Sequence, residues 1–244
     1  MHDKNMSNIW IWGWHSAESV LKNRSRGVSK IFLLERNIER FENSLLRYTN
    51  EQNLNRYVEI VSPQKMDNLF GRNHQGIAML CTELNIWNLK DWVKEQSTKK
   101  KSFLIACDHL EDGHNLGAII RTAAAFNADG LLMTKIRNAP LDGVVAKSAA
   151  GGLEILPIIK VANLANSLQF LQENEYMVFG LDENGETNWP KPDRGVIVLG
   201  QEGGGLRELT KKTCDAIISI NTNKAFSTLN VSVAAGIAIS RYLG

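Results

Sequence analysis

From Ser102 onward the sequence carries six apolar runs, "SFLIACDHL", "GLLMTK", "LEILPIIKV", "YMVFGLD", "GVIVLG" and "DAIISI", separated by stretches of helical character. Runs of valine, isoleucine and leucine without polar alternation suit strands buried on both faces. Strands of that kind alternating with helices form a parallel sheet covered on both sides. The intervening helices are "LGAIIRTAAAFNA", "DGVVAKSAA", "LANSLQFLQENE" and "GLRELTKKT", and the chain closes with "TLNVSVAAGIAISRYL". That last helix is apolar almost all round and carries Ala234, Ala235, Gly236 and Ala238, so it is expected to be buried in the core or at a subunit interface. The expected class is α/β.

The first part of the chain alternates shorter elements. "NIWIWGW" reads as a strand with Trp10, Trp12 and Trp14 on one face, and "SAESVLKN" as a short helix. "SKIFLLE", "RYVEIVS" and "HQGIAMLCTEL" read as strands, "NIERFENSLLRYTNEQ" as a helix, and "PQKMDNLF" as a helix opened by Pro63. This describes a small α/β domain over residues 1–84. Residues 85–102, "NIWNLKDWVKEQSTKKKS", are polar and end in a lysine run. They read as a linker holding one or two helical turns, with 103–244 as a second domain.

Net charge is only +2, which excludes wholesale coating of a polyanion and confines any nucleic-acid contact to local patches. Cys81, Cys107 and Cys214 lie far apart with no C-x-x-C, which argues against a disulfide framework or a cysteine zinc site and for a reducing, cytoplasmic compartment. The first residues lack the basic-then-apolar pattern of a secretory signal, and no apolar run approaches the ~20 residues that span a bilayer.

The most suggestive loop is "VIVLGQEGGGLREL". A dinucleotide fingerprint wants G-x-G-x-x-G after the first strand, and a phosphate cradle wants G-x-x-x-x-G-K-[ST]. Gly200, Gly203, Gly204 and Gly205 fit neither spacing, they follow a late strand, and Glu202 within the loop would repel a polyphosphate. "DHLEDGHN" clusters Asp108, His109, Asp112 and His114 but matches no zinc spacing, and no metal is expected. There is no G-x-S-x-G nucleophile turn. What remains is a set of polar residues at strand ends. Asn115 can cap the helix it opens, and Arg121 on that otherwise apolar helix must snorkel, pair with an acid or face an anion. Glu202 follows one strand and Asn230 precedes the last helix. Ligands of open parallel sheets gather at the carboxyl ends of strands, so these four can converge there.

Three blocks carrying these residues, "NLGAIIRTAAAFNADG", "VIVLGQEGGGL" and "ISINTNKAFSTLNVSVAAGIAIS", together resemble the SpoU family of RNA ribose 2′-O-methyltransferases, of the trefoil-knotted class. The first block matches the family's N-x-G-x-x-x-R, and the match covers roughly Phe103 to Leu243. "GWHSAESVL" and "NHQGIAML" are similar to the family's small substrate-binding domain, itself like certain RNA-binding ribosomal proteins. The two-domain form resembles bacterial enzymes acting on a guanosine ribose of 23S ribosomal RNA, with a tRNA guanosine enzyme as the nearest competitor.

The resemblance implies S-adenosylmethionine as cofactor, a deep trefoil knot near the chain end, and a homodimer packed partly through the last helix. It places Gly200, Ile220, Leu229 and Leu181 at cofactor-contacting positions, and Asn115, Arg121, Glu202 and Asn230 at the catalytic ones. The third block departs from the family. It reads Ile220, Asn221, Thr222 where Ile-Pro-Met is usual, has Lys224 at a glycine position, and has Thr228 where serine is usual. RNA contacts are expected from basic residues without acidic neighbours, with Lys22, Arg24, Arg26, Lys30, Lys135, Arg137 and Lys147 as candidates. A non-catalytic RNA-binding protein of the same fold is the competing class. The glycine spacing disfavours a nucleotide-dependent oxidoreductase.

Overall fold

A computed structural model describes residues 8–48, 57–201, 203–223 and 228–244. The apolar runs become six strands, β5 Ser102–Cys107, β6 Gly130–Thr134, β7 Ile158–Val161, β8 Met177–Glu186, β9 Arg194–Leu199 and β10 Ala216–Ile218. They pair in the order β10-β8-β9-β5-β6-β7, every pair parallel. All six residues of β5 are buried, as expected of the central strand of a doubly covered sheet.

The two faces are visible in how side chains alternate. Phe103, Ile105 and Cys107 of β5 join Ile197 and Leu199 of β9 in one cluster. Helices α5 Gly113–Ala125, α6 Gly143–Ala149 and α9 Val231–Leu243 cover that cluster. Leu104 and Ala106 join Val196 and Val198 on the opposite face, under α4 Leu89–Gln96 and α7 Leu164–Glu173. In the segment read as a linker, α4 makes two turns, and its Trp92 is fully buried on the sheet beside Leu104 and Leu132. The amphipathic spacing of Leu89, Trp92 and Val93 accounts for this docking.

The first part forms a mixed four-stranded sheet ordered β1-β4-β2-β3, from β1 Asn8–Trp12, β2 Val28–Leu33, β3 Val58–Ile60 and β4 Ile77–Thr82. Only the pair of β2 and β3 is parallel. Trp10 and Trp12 do share a face, packing on Phe70 with ring centroids 5.2 and 5.4 Å away. Trp14 does not share it, because the chain turns at Gly13 and Trp14 opens helix α1 Trp14–Lys22 on the opposite side. The long helix expected after β2 is shorter, α2 Ile38–Ser44 followed by a 3₁₀ turn at Leu46–Tyr48, and the rest of that stretch lies outside the described residues. Pro63 opens α3 Pro63–Phe70, capped by Ser62. "LEILPIIKV" is strand only over β7; Gly152–Glu154 is a 3₁₀ turn.

The two sheets are locked together by α1 and α6. Ser16 Oγ donates to the Ala146 carbonyl at 3.0 Å. Arg26 pairs with Glu154 at 2.7 Å, with side chains 1% and 4% exposed. Ile11, Trp14 and Val20 belong to the same apolar cluster as α5 and α6.

Helix α9 is buried on one side only within the single chain. Ala235, Ala238 and Ile239 are buried, but Val233 is 51% and Ile237 41% exposed. One side packs on α5, with Gly236 next to Thr122, and the other side is open.

Candidate active site at the carboxyl ends of the parallel strands

The strand order reverses between β5 and β9, and such a reversal opens a crevice at the carboxyl ends of the strands. The chain leaving β5 meets the end of β9 there, where Asp108 N donates to the Leu199 carbonyl at 2.8 Å. Asp108 is wholly buried. It accepts from Arg207 Nε at 2.7 Å and pairs with a terminal guanidinium nitrogen of Arg207 at 2.6 Å. Sequence inspection missed this pair, although a lone aspartate ending an apolar run is the signal that could have flagged it.

Between β9 and Arg207 the glycine loop closes on itself. Gln201 and Gly205 exchange two backbone hydrogen bonds of 3.1 and 3.0 Å. A Cβ at Gly200 would lie 2.2 Å from the Gly205 carbonyl carbon and 2.5 Å from Leu206 N. The need for glycine at position 200 is therefore internal to the loop, where backbone meets backbone, and not only an approach to a ligand. Gly200→Ala is expected to displace residues 200–206 and to destabilise the chain by about 1–3 kcal/mol, the usual cost of overpacking, read by urea unfolding. Glu202 lies outside the described residues.

Beside this loop β8 departs from regular pairing. Its register with β10 jumps from Gly180 opposite Ile217 to Glu186 opposite Ile218, so residues 181–185 bulge out at the carboxyl end. Leu181, opposite Leu199, is half-buried. Asp182 resists burial, which alone would raise its pKa; bonds from Lys211 Nζ at 2.8 Å and from Asn184 outweigh that and hold it low. Ile220 follows β10 and is half-buried, and Leu229 just before α9 is 40% exposed.

Asn115 and Asn230 are brought together. Asn230 Nδ2 donates to Asn115 Oδ1 at 3.0 Å, while Asn230 Oδ1 accepts from Ser232 N and so caps α9. Asn115 does not cap α5. Asp112 does, accepting from Asn115 N at 2.8 Å, because the helix starts three residues earlier than the sequence suggested. Gly117 of the N-x-G-x-x-x-R block serves packing, since a Cβ there would sit 2.7 Å from the Val145 carbonyl of α6.

Arg121 stands apart from the two asparagines. It lies six residues beyond Asn115, ~9 Å along the axis and on a different side of the helix. It is exposed and has no ion pair or hydrogen bond among the described residues, so the structural ion pair that sequence left open is absent there. Among the described residues no cluster of three His, Cys, Asp or Glu is placed for a metal. Asp108 serves Arg207, Asp112 caps α5, and His114 Nδ1 sits 3.1 Å from Ser148 Oγ.

The basic candidates divide. Lys22 pairs with Glu18 at 2.9 Å and Lys30 with Glu59 at 2.8 Å, so these do have acidic neighbours. Arg26 is a correction. Its guanidinium is buried between Glu154 and Cys81 and belongs to no open basic face. Arg24, Lys135 and Arg137 are exposed, and Lys147 donates to the Asn73 carbonyl.

Comparison with known proteins now decides the family. Residues 102–240 match the SpoU rRNA Methylase family, and residues 10–87 match the family described as RNA 2′-O ribose methyltransferase substrate binding. The chain belongs to the SpoU rRNA methylase family. The 23S rRNA (guanosine-2′-O-)-methyltransferase RlmB of Xylella fastidiosa is 34% identical over 244 residues, covering 96% of each chain. A Staphylococcus saprophyticus protein named for the TrmH family of tRNA/rRNA methyltransferases is 33% identical over 95% of this chain and 94% of its own. Among solved structures, the SpoU methyltransferase AviRb of Streptomyces viridochromogenes, in complex with AdoMet, shares the fold. Its TM-score is 0.78 at 19% identity, over 96% of this chain and 88% of that one. No described helix of this SpoU family member is long and apolar enough to cross a membrane.

Proposed function

We propose that this chain transfers a methyl group from S-adenosylmethionine to a ribose 2′-hydroxyl of RNA, with a guanosine of 23S ribosomal RNA as the target. The reading rests above all on one observation. Asn115 of the first family block is hydrogen-bonded to Asn230 of the third, next to the strand ends where the second block folds back on itself. The 34% identity to an RlmB over 96% of both chains supports the choice of ribosomal guanosine.

The residues present fit the cofactor. Leu181, Ile220 and Leu229 offer partly open apolar surface from three neighbouring segments, suited to an adenosine. The backbone from Gly200 to Gly205 is stripped of side chains at Gly203, where a Cβ would meet nothing within 4 Å. S-adenosylmethionine, when bound, supplies an activated methyl carbon. The Arg121 guanidinium stabilises the alkoxide developing on the ribose, a role that suits an arginine better than proton removal does. Asn115 and Asn230 hold α5 and α9 in register, and Glu202 orients Arg121 or its partners. Holding the reacting groups in place supplies much of the remaining acceleration, up to ~7–11 kcal/mol.

Three further features belong to this reading. Residues 1–84 bind substrate and 103–244 carry the chemistry, joined by 85–102. The last segment is knotted; in support, the chain leaves the edge strand β10 and returns to the sheet centre, where Tyr242 stacks on Phe103 and Phe179 at 5.0 and 5.7 Å. The enzyme is a homodimer, supported by the open side of α9 at Val233 and Ile237, one helical turn apart, with Leu229 exposed just before the helix.

Calorimetry with S-adenosylmethionine tests the reading. Saturable binding in the micromolar range is expected, weakened at least tenfold by Gly200→Ala; no heat at millimolar ligand would leave a non-catalytic RNA-binding protein. Mapping ribose methylation in cellular RNA with and without the protein identifies the target, and a loss confined to tRNA would overturn the ribosomal assignment.

A further inference from the structure

Beyond Arg207, which ends the glycine loop, a cleft of about 150 Å³ opens at the carboxyl ends of β5, β6 and β7. His109, Thr134, Arg137, Asn163 and Arg207 line it, together with the first residues of α7. The loops that build it are braced against each other. Asn138 Oδ1 accepts from Leu110 N at 2.8 Å, and Asn138 Nδ2 donates to Thr134 Oγ1 at 2.7 Å. Thr134 Oγ1 in turn donates to the Ile136 carbonyl at 2.6 Å. This bracing holds His109 at φ 63° and Arg137 at φ 59°, a region that side-chain-bearing residues avoid.

The polar groups aimed into the cleft are mostly donors. Leu164 and Ala165 open α7, behind the cap residue Asn163, and the N–H groups of a first helical turn have no intrahelical acceptor. Arg137 is exposed and has no carboxylate partner among the described residues. His109 is only 8% exposed, lines the cleft, and has no hydrogen-bond partner among the described residues. Burial, then the nearby Arg207, then Arg137 depress the His109 pKa against the opposing pull of Asp108 and Glu111, so the ring is neutral at pH 7 and offers one N–H. Asp108 takes up part of the Arg207 charge. Arg137 and the α7 dipole supply positive charge to the cleft, opposed there by Glu111.

We infer that this cleft seats one phosphodiester of the RNA, held by Arg137, Arg207, His109 and the first amides of α7. The inference rests on the RNA-modifying reading, and it adds a fixed point for the strand apart from the site of methyl transfer. Arg207 connects the two places, because it ends the glycine loop and also lines the cleft.

The test uses the full chain, isotope-labelled, with inorganic phosphate as the probe and chloride at matched ionic strength as the control. Saturable shifts at the Arg137 and Arg207 Nε–H signals and at the Leu164 and Ala165 amides are expected. Arg137→Gly should weaken phosphate at least fivefold. Glycine suits the left-handed backbone there, so the variant keeps its fold. A mixed-sequence single-stranded RNA should displace the phosphate, and its binding should lose ~0.7 of logarithmic salt slope in Arg137→Gly. Shifts matching those of chloride, or unchanged in the variant, would overturn the site. Phosphate signals unmoved by RNA would overturn the RNA assignment. Neither arm contains S-adenosylmethionine, so failure here is distinguishable from failure of the methyltransferase reading.

Discussion

Arg121→Ala is expected to lower methyl transfer by about 10²- to 10³-fold, the range seen when one preorganised stabiliser of developing negative charge is removed. The same change should leave stability within ~0.5 kcal/mol, as for surface substitutions that break no pairing. Arg121 is exposed on α5 and makes no ion pair or hydrogen bond among the described residues, so nothing in the fold depends on its charge. Alanine is also the better helix former. Arg121→Lys separates charge from shape. It keeps the positive charge and loses the planar fork, so a partial recovery of rate points to charge stabilisation, and a rate equal to that of the alanine variant points to bidentate geometry. Full activity in Arg121→Ala would remove the residue from the chemistry. Binding of S-adenosylmethionine, measured by calorimetry, should be unchanged in both variants, which distinguishes a lost catalytic group from a disturbed cofactor loop.

The sheet was legible because its strands are buried on both faces, and continuous runs such as "FLIAC" and "VIVL" have no other economical fold in a chain of this composition. Helix α4 was half legible. Its turns showed in the pattern, but the burial of Trp92 depends on Leu104 and Leu132, which are distant in sequence. The start of α5 was misplaced because aspartate and asparagine both cap helices well, and only the geometry selects Asp112 over Asn115. The pairing of Asn115 with Asn230 spans 115 positions, and no local spacing encodes it. The family motif pointed to both residues without showing that they touch. The cleft at His109 was invisible for a related reason, since it is assembled from separate loops whose bracing groups, Thr134 and Asn138, look like ordinary turn residues. Arg26 shows the opposite error. In "KNRSRGVSK" it looks like part of a basic surface, and its acidic partner is 128 positions away.

That partner makes Arg26 the most sensitive position for stability. Arg26→Ala is expected to destabilise the chain by about 3–5 kcal/mol, the cost of leaving one member of a buried ion pair uncompensated. Glu154 is 4% exposed on its side chain, so water cannot replace the guanidinium, and Asn23 Nδ2 at 2.8 Å is its only other bonded partner given by the described structure. Burial already raises the Glu154 pKa above 4.5, against the lowering effect of Arg26 and of the Asn23 bond. Without Arg26 it should rise further. A carboxyl whose folded pKa lies above its unfolded one favours the folded state when protonated. The deficit of the variant should therefore be full at neutral pH and shrink as pH falls through the folded pKa of Glu154 towards 4.5. Urea unfolding at several pH values measures this directly. The double variant Arg26→Met with Glu154→Leu removes both charges and keeps the volume apolar, so it should regain much of the loss. A deficit independent of pH, or a double variant as weak as the single one, would refute the buried pair as the cause. Under conditions where Arg26→Ala remains folded, the salt slope of its RNA binding should match the parent, because this guanidinium faces Glu154 in the seam between the two sheets and not solvent.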